Sequence, residues 1–348
     1  MTDTVPTTMA AVVYQGHQTV TVEQLPTPSL DKGEVLLEVS HCGICGSDLH
    51  LIMEDMGKPG STGGHEYSGR VIAVGPGVEG WQVGDHAVGG PDDGCGQCRP
   101  CLNGRQQLCL NRGKIGSGPY QGAFAAYKKC SVDSLFRVPE GLDLRTAALT
   151  EPTAVALRGM HRSGIQAGQR ALVTGAGPIG LLTVAVLRAA GVDDITVSEP
   201  APKRRGRAMA VGARVALSPD QLPAPTDYPS DLIDDPFDAA IECSGRADAA
   251  EAALAALGRG GVLVFSGTGM KWPRFNGNRI ILNELTIVGS LEYSRVEYEE
   301  SIALLASGRL PTDQLIEPED VPLSSVQHAM EQLVVGELPG KVLVVPHV

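Results

Sequence analysis

Four cysteines, Cys95, Cys98, Cys101 and Cys109, fall within the fifteen residues 95–109 with the spacing C-x2-C-x2-C-x7-C. Thiolates this close together can complete a tetrahedral Zn2+ shell with Zn–S bonds of about 2.3 Å. A pair of disulfides or a chance cluster would be the alternative. The small or flexible spacers and the scarcity of large apolar residues favour a metal that organises the segment. A four-thiolate shell leaves no open position, so such a zinc is structural. A sparser set lies upstream, in HCGICGSDLH (41–50) and GGHEYSGRVIAVGPGV (63–78), which carry Cys45, Ser47, Asp48, His50, His65 and Glu66. One thiolate, one imidazole and one carboxylate can hold a zinc and leave a coordination position for substrate.

A third constellation suits a dinucleotide. RALVTGAGPIGLL places Gly175, Gly177 and Gly180 in G-x-G-x-x-G, with Pro178 and Ile179 inside the motif, directly after an expected strand and at the start of an expected helix. The first glycine allows the turn, the second lets a pyrophosphate approach the backbone, and the third lets helix and strand pack closely. Glu199 ends the next expected strand, nineteen residues beyond Gly180, where a carboxylate would hold a ribose 2′-hydroxyl. A solvated strand-end carboxylate is the bland alternative. A carboxylate there repels a 2′-phosphate, so NAD is expected over NADP. The basic run Lys203, Arg204, Arg205 and Arg207 could hold that phosphate, contact the adenosine ribose of NAD or be a solvated helix face, and Arg204 is the cofactor-binding candidate.

These groups need two kinds of scaffold. Residues 10–145 read as short β segments (AAVVYQ, TVTVEQL, EVLLEVS, GRVIAVG, HAVGG) cut by glycine-rich turns, an antiparallel, barrel-like pattern. Beyond residue 151, apolar runs alternate with Ala-rich helical stretches, a βαβ series that predicts a doubly wound parallel sheet. The fold class is therefore α/β, with a mainly antiparallel β domain over 1–154 and 287–348 and a dinucleotide-binding domain over 155–286. The cysteine lobe occupies 91–112. A helix is expected near 298–307 and a closing strand at GKVLVVP, and 219–236 reads as a surface excursion. At 348 residues, two domains match the length. A formal charge of −12 argues against nucleic acid as a partner. The N-terminus has no signal-peptide pattern, and the least polar run, 171–187, is broken by glycines and cannot span a membrane. A reducing cytoplasm is expected, where clustered cysteines bind metal rather than form disulfides.

With these motifs together, the chain resembles the zinc-containing medium-chain alcohol dehydrogenase family over essentially its whole length. GHE-x2-G-x5-G-x2-V fits at Gly64, His65, Glu66, Gly69, Gly75 and Val78, and GIC-x-S-D fits from Gly43 to Asp48. The four-cysteine lobe and the glycine motif follow in the family's order. The resemblance implies a Rossmann domain joined to a GroES-like catalytic domain, two zincs per chain and NAD. It makes Cys45, rather than Cys42, and His65 ligands of the catalytic zinc, with Glu66 or Glu151 as the further protein ligand and Asp48 orienting His65. Zinc lowers the pKa of bound water from 15.7 to about 7, and an alcohol should respond similarly. The resemblance thus implies an alkoxide stabilised by zinc that gives hydride to NAD. Ser47 would hydrogen-bond the alcohol and His50 would pass its proton outward.

Glu151, Gly46 and the short connection from Cys109 to Gln121 resemble the sorbitol, threonine and butanediol dehydrogenase branch. The expected substrate is a secondary alcohol (polyol, diol or hydroxy amino acid) or its ketone, and the expected assembly is a homotetramer. Gly46 lacks a basic pyrophosphate contact, which leaves Lys341 as a source of positive charge. Ile52, Tyr120 and Tyr293 are expected near the substrate. His41, His86, His161, Cys130 and Cys243 read as structural. The rival readings are a physiological carbonyl reductase of the same fold and a non-catalytic zinc-binding module.

Overall fold

The computed structural model describes residues 5–90, 94–111 and 121–347. Its chain divides into two compact units: Met1–Glu151, Ser294–Ser307 and Ile316–Val348 in one, Pro152–Tyr293 and Gly308–Leu315 in the other. The division thus falls a few residues from 154 and 286, and a short segment, Gly308–Leu315, joins the second unit.

The first unit is built on the strand Glu34–Gly43, whose apolar residues Val35, Leu37 and Val39 are fully buried. It lies inside a seven-stranded sheet, paired antiparallel to Glu66–Val74 on one side and to Leu343–Val345 on the other. Tyr127–Ser131 also pairs with it, and His86–Gly89 and Leu135–Arg137 extend the sheet. Among the described strands of this sheet, only the short Val321–Pro322 runs parallel to its neighbour. The registers matter for the site, because Gly43 stands opposite both Glu66 and Leu343. Three segments distant in sequence therefore converge just before Cys45. The hairpin Thr8–Gly16/Thr19–Pro26 forms a separate two-stranded sheet. The core beneath joins Val35, Tyr67, Val71 and Phe124 to Val326 and Met330 of the helix Val326–Val335.

The second unit holds a six-stranded parallel sheet. In chain order its strands are Arg170–Thr174, Asp194–Ser198, Val215–Leu217, Phe237–Glu242, Leu257–Phe265 and Thr286–Gly289, and in space they run third, second, first, fourth, fifth, sixth. That is the order of a doubly wound dinucleotide-binding sheet. The strand residues Ala171, Leu172 and Val173 and residues 180–187 of the helix Pro178–Ala189 are buried, as a sheet covered on both faces requires. The excursion at 219–236 is anchored rather than merely superficial. Leu222 and Ile233 enter the core, and the buried Arg279 guanidinium donates to the Asp231 carbonyl at 2.7 Å. Among the described residues, no helix is long and apolar enough to cross a membrane.

Candidate functional site

Cys45 sits at the N-cap of the helix Gly46–Met53, in extended conformation. Asp48, one turn in, reaches back: its Oδ2 accepts the Cys45 N–H at 3.0 Å while its Oδ1 accepts the Gly64 N–H at 3.1 Å. One carboxylate thus ties the cysteine segment to the histidine segment. Gly64 has φ +92, and a Cβ there would come within 2.8 Å of Cys42 Sγ and Phe124, so glycine is required for this approach. Asp48 Oδ1 also lies 3.8 Å from His65 Nδ1, an ion-pair distance that is longer than a hydrogen bond. Burial raises the Asp48 carboxyl above its usual range, against the pull of His65 and two backbone donors.

Ligand atoms of Cys45, His65 and Glu66 all lie within 4.8 Å of one another. Cys42 stays outside this group, buried in the core. Glu151, 8% exposed in the first turn of the helix Thr150–Ser163, is also not part of it, although its charge acts on His65. Burial by itself would lower the His65 pKa, but Asp48, the Cys45 thiolate and Glu151 raise it well above the ordinary value. A metal must therefore displace a proton from this ring. Glu66 is fully buried, and its partner is Lys341, 2% exposed, whose Nζ lies 2.7 Å from the carboxylate. Lys341 donates to Glu66 Oε1 and, at 3.0 Å, to the Ile44 carbonyl, so its ammonium is directed at the ligand cluster. Burial opposes its charge, but Glu66, Cys45 and Glu151 raise its pKa and keep it protonated. Glu66 Oε2 also lies 2.7 Å from Lys341 Nζ, so the ammonium faces both oxygens. A buried carboxylate beside a thiol and an imidazole fits a zinc position with S, N and O ligands.

Ser47 Oγ lies 3.5 Å from His65 Nε2. His50 follows three residues later on the same helix, about a third exposed, with Nδ1 3.0 Å from Glu54 Oε2. Residues three apart share a helix face, so the two expected proton carriers are neighbours. Ile52, expected near substrate, instead packs in the β-unit core, because it points inward from the helix. Tyr293 is buried, and Tyr120 lies outside the described residues.

The four thiols of the lobe form the second group within 4.8 Å. Cys98 Sγ is 3.4 Å from Cys101 Sγ and 3.9 Å from Cys109 Sγ, close to the roughly 3.8 Å edge of a tetrahedron with 2.3 Å bonds. Backbone donors point at the sulfurs: Cys95 N and Asn111 N at Cys109 Sγ, both 3.3 Å, and Cys98 N at Cys95 Sγ, 3.4 Å. Such donors favour thiolates, and the Cys95 thiol falls to about 6. Burial and sulfur neighbours instead push Cys101 up to about 11. Gly94, at φ +68, leaves Cys101 Sγ just enough room.

In the parallel-sheet unit the three motif glycines divide their work as the spacing implies. Gly175 adopts φ +89 and donates to the Ser198 carbonyl at 2.9 Å. A Cβ on Gly177, the N-cap of the helix Pro178–Ala189, would meet nothing within 4 Å, so the turn is open where a pyrophosphate would approach. A Cβ on Gly180 would overlap the Gly175 carbonyl oxygen. Pro178 takes the first helical position, where its missing N–H costs nothing. Glu199 is 3% exposed and accepts the Ala176 and Ala201 N–H groups at 2.8 and 2.9 Å, which fixes the carboxylate against the glycine turn. Arg204 Nε makes no hydrogen bond, whereas Arg205 is held by the Glu199 and Pro200 carbonyls and Arg207 by that of Gln314. Sequence reasoning missed Glu242, whose buried carboxylate accepts the Ser244 and Gly245 N–H groups and shapes the turn facing Gly175. Its only signal was an acidic residue ending an apolar strand.

Comparison with known proteins places this geometry. Residues 31–140 match the model of the alcohol dehydrogenase GroES-like domain, and residues 178–307 match that of the zinc-binding dehydrogenase domain. Sorbitol dehydrogenase of Bacillus subtilis is 34% identical, with 95% of each chain covered. (R,R)-butanediol dehydrogenase of the same organism is 30% identical, over 97% of this chain and all of that one. Among solved structures, a Sinorhizobium meliloti 1021 protein bound to NADP superposes with a TM-score of 0.87 at 30% identity, covering 98% of this chain and all of the other.

Proposed function

Because the chain belongs to the zinc-containing medium-chain alcohol dehydrogenase family, and is an alcohol or polyol dehydrogenase, we propose that it moves hydride between NAD and a polyol, diol or hydroxy amino acid at a zinc held by Cys45, His65 and Glu66. The observation that carries this reading is the cluster of half-buried thiol, half-buried imidazole and buried carboxylate, whose ligand atoms lie within 4.8 Å of one another. Glu151, whose charge acts on His65 and Lys341, joins the shell directly or through water. A zinc bound there would polarise the substrate oxygen and lower the pKa of its proton. The protein's own residues do the rest. Ser47 accepts the alcohol proton from its place beside His65, His50 takes it onward, and the exposed Glu54 carboxylate steadies the His50 ring at the solvent edge.

The four-cysteine lobe holds a structural zinc in the same reading. Gly175, Gly177, Pro178, Ile179 and Gly180 would cradle the pyrophosphate, and Arg204, from the basic run that follows Glu199, would contact the cofactor. NAD is favoured over NADP because Glu199 ends the strand after the glycine motif, where a carboxylate would repel a 2′-phosphate. Residues 155–286 form the NAD-binding domain, and 1–154 with 287–348 the GroES-like catalytic domain. The assembly is a homotetramer, a reading supported by Gly46, Glu151 and the short connection after Cys109, and the clustered cysteines favour the reducing cytoplasm. Absorbance at 340 nm with sorbitol, butanediols and threonine, each with NAD and with NADP, tests it. The expected result is NADH formation with at least one of these substrates and a higher kcat/KM for NAD than for NADP. Zinc binding without turnover of any alcohol and without NADH affinity would leave only a zinc-binding module.

A further inference from the structure

We infer that Lys341 is a positioning residue that holds Glu66 partly back from the metal and so keeps the metal centre cationic. The inference rests on the reading of Cys45, His65 and Glu66 as a zinc site. One thiolate, one carboxylate and a neutral imidazole together cancel the charge of a divalent ion. Lys341 restores one positive charge, and a cationic centre favours an anionic oxygen in the open position over a neutral one.

Three observations carry it. The Lys341 ammonium and the Glu66 carboxylate are both buried, 2% and 0% exposed, so their attraction is little screened by water. Lys341 also grips both carboxylate oxygens: its Nζ lies 2.7 Å from Glu66 Oε1 and 2.7 Å from Oε2, and donates at 3.0 Å to the Ile44 carbonyl, the one that precedes Cys45, while the carboxylate still lies within 4.8 Å of the Cys45 and His65 ligand atoms. Finally, Gly43 stands opposite Glu66 and Leu343 in the sheet, and a Cβ on it would overlap Glu66 Oε2 and come within 3.1 Å of Lys341 Cδ. The missing side chain leaves that oxygen room to move between lysine and metal. A plain scaffold lysine, bracing the Cys45 turn through Ile44, makes the opposite forecast for metal affinity.

The test measures the affinity of the chelator-accessible zinc by competition, with the visible bands of the Co2+-substituted protein as a second readout. Lys341→Met frees Glu66 to bind the metal fully. It should tighten that zinc at least tenfold, change the Co2+ bands and lower kcat at least tenfold. Lys341→Arg, which keeps the charge, should restore all three. Weaker or unchanged zinc binding in Lys341→Met would overturn the inference and leave Lys341 a scaffold. Should Lys341→Met fail to fold, Glu66→Gln and the doubly neutral Lys341→Met/Glu66→Gln protein decide, since removing both charges of a buried pair is tolerated better than removing one. The double variant should hold zinc at least tenfold tighter than Glu66→Gln, because the unpaired ammonium repels the ion. Equal affinities would overturn the inference. Cys45→Ala separates the underlying reading: if it keeps this zinc at unchanged affinity, the metal-site assignment fails instead.

Discussion

The two metal-ligand clusters of this chain are built in opposite ways. The four-cysteine lobe draws its donors from residues 95–109, uses one soft donor type and surrounds its sulfurs with backbone N–H groups from the same segment. The Cys45–His65–Glu66 cluster draws on a helix N-cap, a tight glycine turn and a strand, and a lysine near the end of the chain completes its charge balance. A local, saturated set of like donors makes a closed site whose worth is folding. A dispersed, mixed set on rigid elements leaves one position open, and the surrounding charges can then tune it.

That contrast breaks most sharply if the dispersed cluster is damaged. Cys45→Ala or His65→Ala should lower turnover by at least about 10³-fold, since Lewis-acid stabilisation is worth several kcal/mol. NADH binding, followed by fluorescence, should stay within a fewfold of wild type. Retained activity in Cys45→Ala would mean Cys42 is the ligand. Damage to the lobe should fail differently. Cys101→Ser should lose one zinc per chain by mass spectrometry and lower Tm sharply, because structural zinc binding is itself folding free energy. Molecules that remain folded should turn over at near the wild-type rate per catalytic zinc.

Smaller effects sharpen the comparison. His50→Ala should slow alcohol oxidation by about 10²-fold near neutral pH, the lower end of what a positioned proton carrier supplies. Added imidazole should restore part of that rate. Both clusters should bind zinc more weakly as pH falls, for different reasons. In the dispersed cluster His65, raised well above its ordinary pKa by Asp48, Cys45 and Glu151, must give up a proton to bind. In the lobe Cys101, at about 11, must do the same, while Cys95, at about 6, is already largely ionised at neutral pH. Zinc added to metal-free protein in weak buffer should therefore release protons from both sites. A pH-independent affinity at either would contradict these environments.

The same contrast explains what could be read before the structure. The lobe and the glycine motif were legible because their signal is local: spacing alone brings Cys95–Cys109 together, and the motif's fixed intervals set Gly180 against the Gly175 carbonyl five residues before it. The alternation of strand and helix beyond residue 151 was legible for the same reason. The strands Tyr127–Ser131 and Leu135–Arg137 were not, being short and recognisable only by their pairing. Lys341 was noticed for its charge, but its partner 275 positions away depends on the register that sets Gly43 between Glu66 and Leu343. Ile52 lies near the ligand cysteine in sequence, yet helix geometry turns it into the core. The fate of Glu242 also needed the fold, because its value lies in the turn it caps against a neighbouring strand.

The central claim is that the chemistry belongs to the dispersed cluster and the folding to the lobe. Chelation with dipicolinate, following zinc content, 340 nm turnover and circular dichroism on the same sample, tests it most directly. The account predicts that the first zinc removed takes all turnover with it, leaves the dichroism unchanged and restores activity when added back. Activity that survives loss of that zinc, or that falls only as the chain unfolds, would contradict it.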